Sequence, residues 1–157
     1  MPTLYTIGYE GTNVARFLDA LRKAKVQLLV DVRAVASSRR AGFAKTALAA
    51  NLESIGIEYM HLRGLGTPAD GRAAARAGKH AEMHRIFRQH MRTEAAMDQL
   101  LTLEDLVRSG KRTCILCFEA DPAHCHRTLV AEALQARVET TVTHLRPGPD
   151  ADAADDE

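Results

Sequence analysis

VQLLVDV, residues 26–32, and TCILCFE, residues 113–119, decide the fold. Each is a nearly continuous apolar run of strand length, with no polar alternation. Such a run is buried on both faces, as in the inner strands of a parallel sheet. Working outward, three further strands are expected at Leu4–Tyr9, Ile57–Leu62 and Val138–Leu145. Helical spacing lies between them. Val14, Phe17, Leu18 and Leu21 form one stripe behind a cap at Thr12 or Asn13. Residues 43–55 place Leu48, Leu52 and Ile55 on one face, with Gly56 as the stop. Met83, Ile86, Phe87 and Met91 mark another helix. A further one starts near Thr93, presents Met97, Leu100, Leu101 and Leu106, and ends at Gly110. The last runs from Arg127 to Ala136. Residues 63–68 read as a loop, and residues 69–78, made of Ala, Gly and Arg among others, read as mobile. Strands alternating with helices predict an α/β fold: a single domain, a mostly parallel sheet of about five strands, and helices on both faces. Strand order is not encoded in these patterns.

The bulk numbers agree with one soluble domain. The chain has 157 residues, 46% hydrophobic and 26% charged, with 4% aromatics and no Trp; the core must come from Leu, Val, Ile and Ala. The net charge of +1 conceals an asymmetry. Residues 147–157 (PGPDADAADDE) carry five acids and no base, which leaves 15 acids against 21 basic residues and a net of +6 for residues 1–146. The expectation is a domain over residues 1–146 followed by a disordered acidic tail over residues 147–157. The basic excess gathers in residues 33–45 and 63–92, which favours anionic partners. No run has the length of a membrane span, and the N-terminus has no signal-peptide pattern. Three cysteines, an odd number, are expected as free thiols, and a cytoplasmic location is expected by exclusion.

In open parallel sheets, ligands bind beyond the carboxyl ends of the strands. Here those ends carry Tyr9 and Glu10, then Asp31 and Arg33, then His61, then Glu119 leading to Cys125-His126-Arg127, and last His144. Asp31 and Arg33 are two apart and share one face with Leu29. Cys114 and Cys117 are three apart and face opposite sides, so they cannot share an ion and read as core cysteines; Cys117 has the parity of Glu119. Cys125 opens a helix beside His126 and Arg127, where free N–H groups and positive charge favour both an anion and a thiolate. His80 and His84 have helical metal-pair spacing but read as part of a solvated basic face. A Walker loop, a Gly-x-Gly-x-x-Gly fingerprint and a Ser elbow are all missing.

Taken together, Tyr5-Thr6-Ile7-Gly8-Tyr9-Glu10-Gly11, Val30-Asp31-Val32-Arg33, Ser38-Arg39, Tyr59-x-His61-Leu62, Leu65-Gly66 and Cys117-x-Glu119-x5-Cys125-His126-Arg127 resemble the family catalogued as domain of unknown function 488. The resemblance runs from residue 4 to about residue 145. Ala36 stands where the family pattern often has Pro. The resemblance implies a compact α/β domain with these residues clustered, and supplies no reaction.

Three function classes are therefore carried forward. The first is an enzyme acting on an anionic, phosphate-bearing or nucleic-acid-related substrate. Its candidate catalytic residues are Cys125 as nucleophile, His126 and Glu119 as proton carriers, and Asp31 orienting Arg33. Its candidate substrate-binding residues are Tyr9, Arg33, Ser38, Arg39, His61 and Arg127. At fold level the Asp-Val-Arg strand end is similar to sulfurtransferases and cysteine phosphatases, but the Cys-to-Arg spacing does not make a short anion cradle. The second class is a metal site drawn from Asp31, His61, Glu119, Cys125, His126 and His144, opposed by the expected divergence of Cys125 from His126. The third is a non-catalytic nucleic-acid-binding module. No residue is assigned to a metal, the cofactor is left open, no membrane partner is expected, and the oligomeric state is not legible.

Overall fold

All five expected strands form, and every pairing is parallel. The computed structural model describes residues 2–149. The elements run β1 (Thr3–Gly8), α1 (Val14–Lys23), β2 (Leu28–Asp31), α2 (Lys45–Glu53), β3 (Glu58–His61), α3 (Ala69–Arg76), α4 (His80–His90), α5 (Glu94–Arg108), β4 (Thr113–Cys117), α6 (His126–Gln135) and β5 (Thr141–Leu145). Short 3-10 turns occupy Arg63–Leu65 and Pro122–His124. The strand order is β3-β2-β4-β1-β5, so β4 is the middle strand.

Side-chain parity divides the core in two. Leu4, Leu28, Val30, Ile115 and Cys117 face α4, α5 and α6, against Met83, Phe87, Leu100, Leu103 and Val130. Tyr5, Ile7, Leu29, Cys114 and Leu116 face α1 and α2, against Phe17, Leu21, Leu48 and Leu52. The opposite placement of Cys114 and Cys117 follows from their odd spacing on one strand. Each fully buried Leu or Phe contributes about 1.5–3 kcal/mol of transfer free energy, which is how a chain without Trp still builds a core.

Asn13 is the cap of α1, accepting from the Arg16 backbone N–H. Thr12 does something else: its hydroxyl donates to the Gly148 carbonyl at 2.5 Å. The start of the acidic tail is thus tied to the loop after β1, while residues 150–157 lie outside the described residues. Most of residues 69–78, expected to be mobile, is helical: Ala69–Arg76 form α3, whose buried residues are only Gly71 and Ala74. A Cβ on Gly71 would stand 2.5 Å from Thr67 Cγ2 and 3.2 Å from Ile86 Cγ2, so this glycine lets α3 pack close to α4.

The topology fixes where a crevice opens. The chain moves from β1 to β2 to β3 past α1 and α2 on one face. It returns through β4 to β5 past α3 to α6 on the other, as right-handed crossovers require when the direction reverses. At the carboxyl edge, β4 leads into α6 on one face while its neighbours β1 and β2 lead into α1 and α2 on the other. The loops splay apart there, at the switch point where open α/β sheets bind ligands.

Candidate functional site

A cleft of about 330 Å³ occupies that switch point. Its floor is Cys117, Glu119 and His126. One wall is Tyr9, Arg33, Ala34, Val35 and Ser37; the other presents Arg72 and Arg76 of α3. The exposed Phe118 stands at the side, 43% accessible, its ring edge-on to Tyr9 at 5.3 Å.

Asp31 and Arg33 form a buried ion pair, at 0% and 5% exposure, which sets the wall. Arg33 Nε donates to both Asp31 oxygens at 2.9 and 3.1 Å, and Nη2 donates to Oδ2 at 2.7 Å. The Tyr59 hydroxyl donates to Asp31 Oδ2 as well. Arg33 Nη1 reaches the Tyr9 hydroxyl at 3.2 Å and the Phe43 carbonyl at 2.8 Å. Burial opposes the charge on Arg33, but hydrogen bonding and attraction to Asp31 outweigh it and hold the guanidinium above its ordinary value. Burial and the bond to Asp31 push the Tyr59 phenol up. Tyr9 stacks on Phe43 with centroids 4.5 Å apart. The guanidinium is thus held in place by Asp31, Tyr9 and Phe43, as part of a neutral ion pair, and lines the cleft.

The floor is a tight group of sulfur and nitrogen atoms. Ligating atoms of Cys117, Cys125 and His126 all lie within 4.8 Å of one another. His126 Nδ1 is 3.3 Å from Cys117 Sγ, and Nε2 is 2.7 Å from the Val32 carbonyl oxygen. A carbonyl only accepts, so Nε2 carries a proton and Nδ1 is the nitrogen that faces the sulfurs. Cys117 Sγ also lies 3.7 Å from Glu119 Oε2. Burial pushes the Cys117 thiol well up, and the neighbouring Cys125 adds to the shift. For Cys125, burial is overcome by the hydrogen bonds from Cys117 and His126 and by the charges of His126 and Arg127, which bring it well below the ordinary thiol value. His126 is raised: burial opposes its charge, but Cys125 beside it prevails. Burial, then the charge and hydrogen bond of Cys125, lift Glu119 to about 7.

The structure sorts the expected site residues into three groups. Tyr9, Arg33, Glu119 and His126 line the cleft. Cys125 is 1% exposed, behind the cleft floor rather than on it; the sulfur in the lining is Cys117. Asp31 is buried behind Arg33. His61 donates from Nε2 to the Arg33 carbonyl at 2.7 Å and lines a neighbouring hollow with Lys45 and Arg63. Ser38 accepts from the Arg40 backbone N–H, and Arg39 is exposed on the same loop. Arg127 is fully buried: it donates to Thr6 Oγ1 at 3.2 Å and to the Glu119 and Ala120 carbonyls. The Thr6 proton is left for His144 Nδ1, 2.6 Å away. Desolvation, with Arg127 and Arg146 nearby, lowers His144.

Two expectations are corrected. Cys125 and His126 do not diverge, because Cys125 is extended (φ −120°, ψ 142°) and its side chain makes no helix-capping bond, so its sulfur turns to the imidazole's side. His80 and His84 are not on a solvated face. Both are half-buried; His80 stacks on His124 with centroids 4.0 Å apart, and His80 Nδ1 and His84 Nε2 are buried without a hydrogen-bond partner among the described residues.

Among the lining residues that sequence reasoning missed are Arg72, Arg76, Cys117 and Phe118. For Cys117 the signal was present, since its parity with Glu119 puts both on one face. For the arginines it was hidden in a segment with no apolar stripe. Among the described residues no helix is long and apolar enough to cross a membrane. All three cysteines are free and buried. No curated protein and no solved structure matches the chain. The sequence profile described as domain of unknown function DUF488 matches residues 13–134, more than half of the chain and both walls and floor of the cleft apart from Tyr9, and the chain belongs to that family.

Proposed function

We propose that this protein is an enzyme acting on an anionic substrate, phosphate-bearing or nucleic-acid-related, held in the cleft with its reacting atom over Cys117, Glu119 and His126. One observation carries the reading: a basic wall and a polarisable thiol–imidazole–carboxylate floor face each other across one cavity at the sheet's switch point. Convergent polar groups in such a concave site are the ordinary signature of a binding or active site. Arg72 and Arg76 supply the anion contacts. Arg72 keeps one nitrogen on the Thr67 carbonyl at 2.8 Å and has further donors to offer. Arg33, oriented by Asp31, presents a guanidinium edge to the same cavity. Phe118 offers an exposed ring on which a base can stack. Arg127 acts as a positioning residue, holding the Glu119 carbonyl from beneath.

The test is direct. A 5′-mononucleotide, inorganic phosphate and a short single-stranded oligonucleotide are titrated into wild-type protein and Arg72→Ala/Arg76→Ala at low ionic strength. Binding by the wild type that weakens in the double variant supports the reading. Equal binding by both proteins, or none by either, overturns it.

A further inference from the structure

We infer that Cys117, Cys125 and His126 form a binding site for one thiophilic divalent cation of the zinc class, with an open coordination position facing the cleft. This deepens the reading of the cleft as an active site, but the binding itself does not rest on it.

Four observations converge. First, the ligand atoms are within 4.8 Å of one another and arise from two rigid elements, the end of β4 and the start of α6. Around a tetrahedral ion with bonds of about 2.3 Å to sulfur and about 2.0 Å to nitrogen, ligand atoms stand roughly 3.5–3.8 Å apart. The 3.3 Å between Cys117 Sγ and His126 Nδ1 is within a small adjustment of that. Second, the imidazole is held as a metal-binding imidazole is held. Its Nε2–H is fixed on a backbone carbonyl, which sets the tautomer and aims Nδ1 at the sulfurs. Third, Cys125 stands at the N-cap of α6 yet does not cap it, so its sulfur is available to the centre. Fourth, all three residues are at most 6% exposed, but Cys117 and His126 also line the cleft. The Phe87 ring packs against the imidazole, 5.2 Å from the His126 ring.

Two thiolates and one imidazole suit a borderline-soft divalent ion better than magnesium or calcium, which favour oxygen. Two thiolates neutralise the ion's charge, so no net charge is buried at the centre. Three protein ligands with one free position is the pattern of a reactive rather than a purely structural site. Glu119 lines the same cleft, with its carboxylate 3.7 Å from Cys117 Sγ. An ion held there would supply Lewis-acid chemistry to the cleft, with Glu119 placed to exchange a proton.

The experiment uses the full chain, reduced and freed of metal by a chelator. Co2+ is added as a spectroscopic probe, and the metal content of the protein as purified is measured in parallel. One Co2+ per chain, with thiolate-to-cobalt charge-transfer absorption and the intense visible bands of a tetrahedral site, is the expected result. Cys117→Ser, Cys125→Ser and His126→Gln should each weaken Co2+ binding by about a hundredfold or more, judged against outer-shell losses of roughly 10–100-fold. Cys114→Ser, on the opposite face of β4, should leave the spectrum unchanged. Far-ultraviolet circular dichroism of each variant separates lost ligation from lost folding. Absence of a thiolate–cobalt band in the folded wild type overturns the inference, and so does a band that survives in folded Cys125→Ser. Because no anion is present, failure here is distinct from failure of the arginine variants to bind phosphate or nucleotide.

Discussion

Removal of the Asp31 carboxylate is the most informative single perturbation of the cleft wall. Asp31→Ala deletes three side-chain hydrogen bonds from Arg33 and one from Tyr59, at a site with 0% exposure. The guanidinium left behind is 5% exposed and keeps only Tyr9 and the Phe43 carbonyl. A buried charge stripped of its partner costs about 3–5 kcal/mol. For a chain of this size each kcal/mol lowers Tm by roughly 2–4 °C, so a drop of about 6–20 °C is expected. Arg33→Met should be comparably harmful, since it leaves Asp31 unpaired. The double variant Asp31→Leu/Arg33→Met removes both charges and should recover much of the loss, because an apolar pair of similar volume often replaces a buried ion pair without cost. Urea and thermal unfolding, followed by circular dichroism, measure all three. A loss below about 1 kcal/mol for Asp31→Ala, or a double variant worse than the sum of the singles, refutes the account of the wall as a buried, mutually dependent pair.

Three further outcomes are expected. Gly8→Ala places a Cβ 1.9 Å from the Glu119 carbonyl oxygen and 3.1 Å from Arg127 Nη1; overpacking of this kind costs about 1–3 kcal/mol, and unfolding curves should show at least that. Cys114 is fully buried and its thiol is pushed up by burial, with Arg127 only partly offsetting this. It should resist alkylation in the native protein at pH 9. Because the unfolded chain releases this proton near a pKa of about 8.5 while the folded chain retains it, stability should fall as pH rises past that value, and Cys114→Ala should flatten the decline. Finally, if a single-stranded oligonucleotide binds through phosphate contacts to Arg72 and Arg76, removing each arginine should reduce the slope of log affinity against log salt by about 1; unchanged slopes would place the contacts elsewhere.

The two apolar runs that announce inner strands are β2 and β4, and their neighbours form where the periodicity puts them. Strand order was not legible because pairing depends on which long-range partners meet, and no local pattern in VQLLVDV or TCILCFE names the other. The α3 helix was hidden for a different reason. It buries only Gly71 and Ala74, so it has no stripe, and the glycine that reads as a breaker is there for a close helix contact. At the site, the strand-end rule located the residues but not their partners. Arg127 reads from sequence as an anion contact, while in the fold it is fully buried with three hydrogen bonds to Thr6, Glu119 and Ala120. Cys117 is the core cysteine its spacing predicts and also reaches the cleft, while Cys125 is buried beside it, its backbone extended at the head of α6, a detail that composition does not record.

The central position of β4 governs how the chain can reach its native state. β1 pairs with β4 and β5, with Leu4 beside Thr113 and Val142, and has no hydrogen bond to β2. When the first three strands have left the ribosome, β1 and β2 still have a strand-wide gap between them, and the sheet cannot close until β4 arrives more than a hundred residues after β1. Folding is therefore dominated by non-local closure, which is slow and exposes apolar strand edges on the way. The β4 strand that joins β1 to β2 also carries Cys117 into place, so the cleft floor starts to form in the same late event that makes the sheet continuous across its middle.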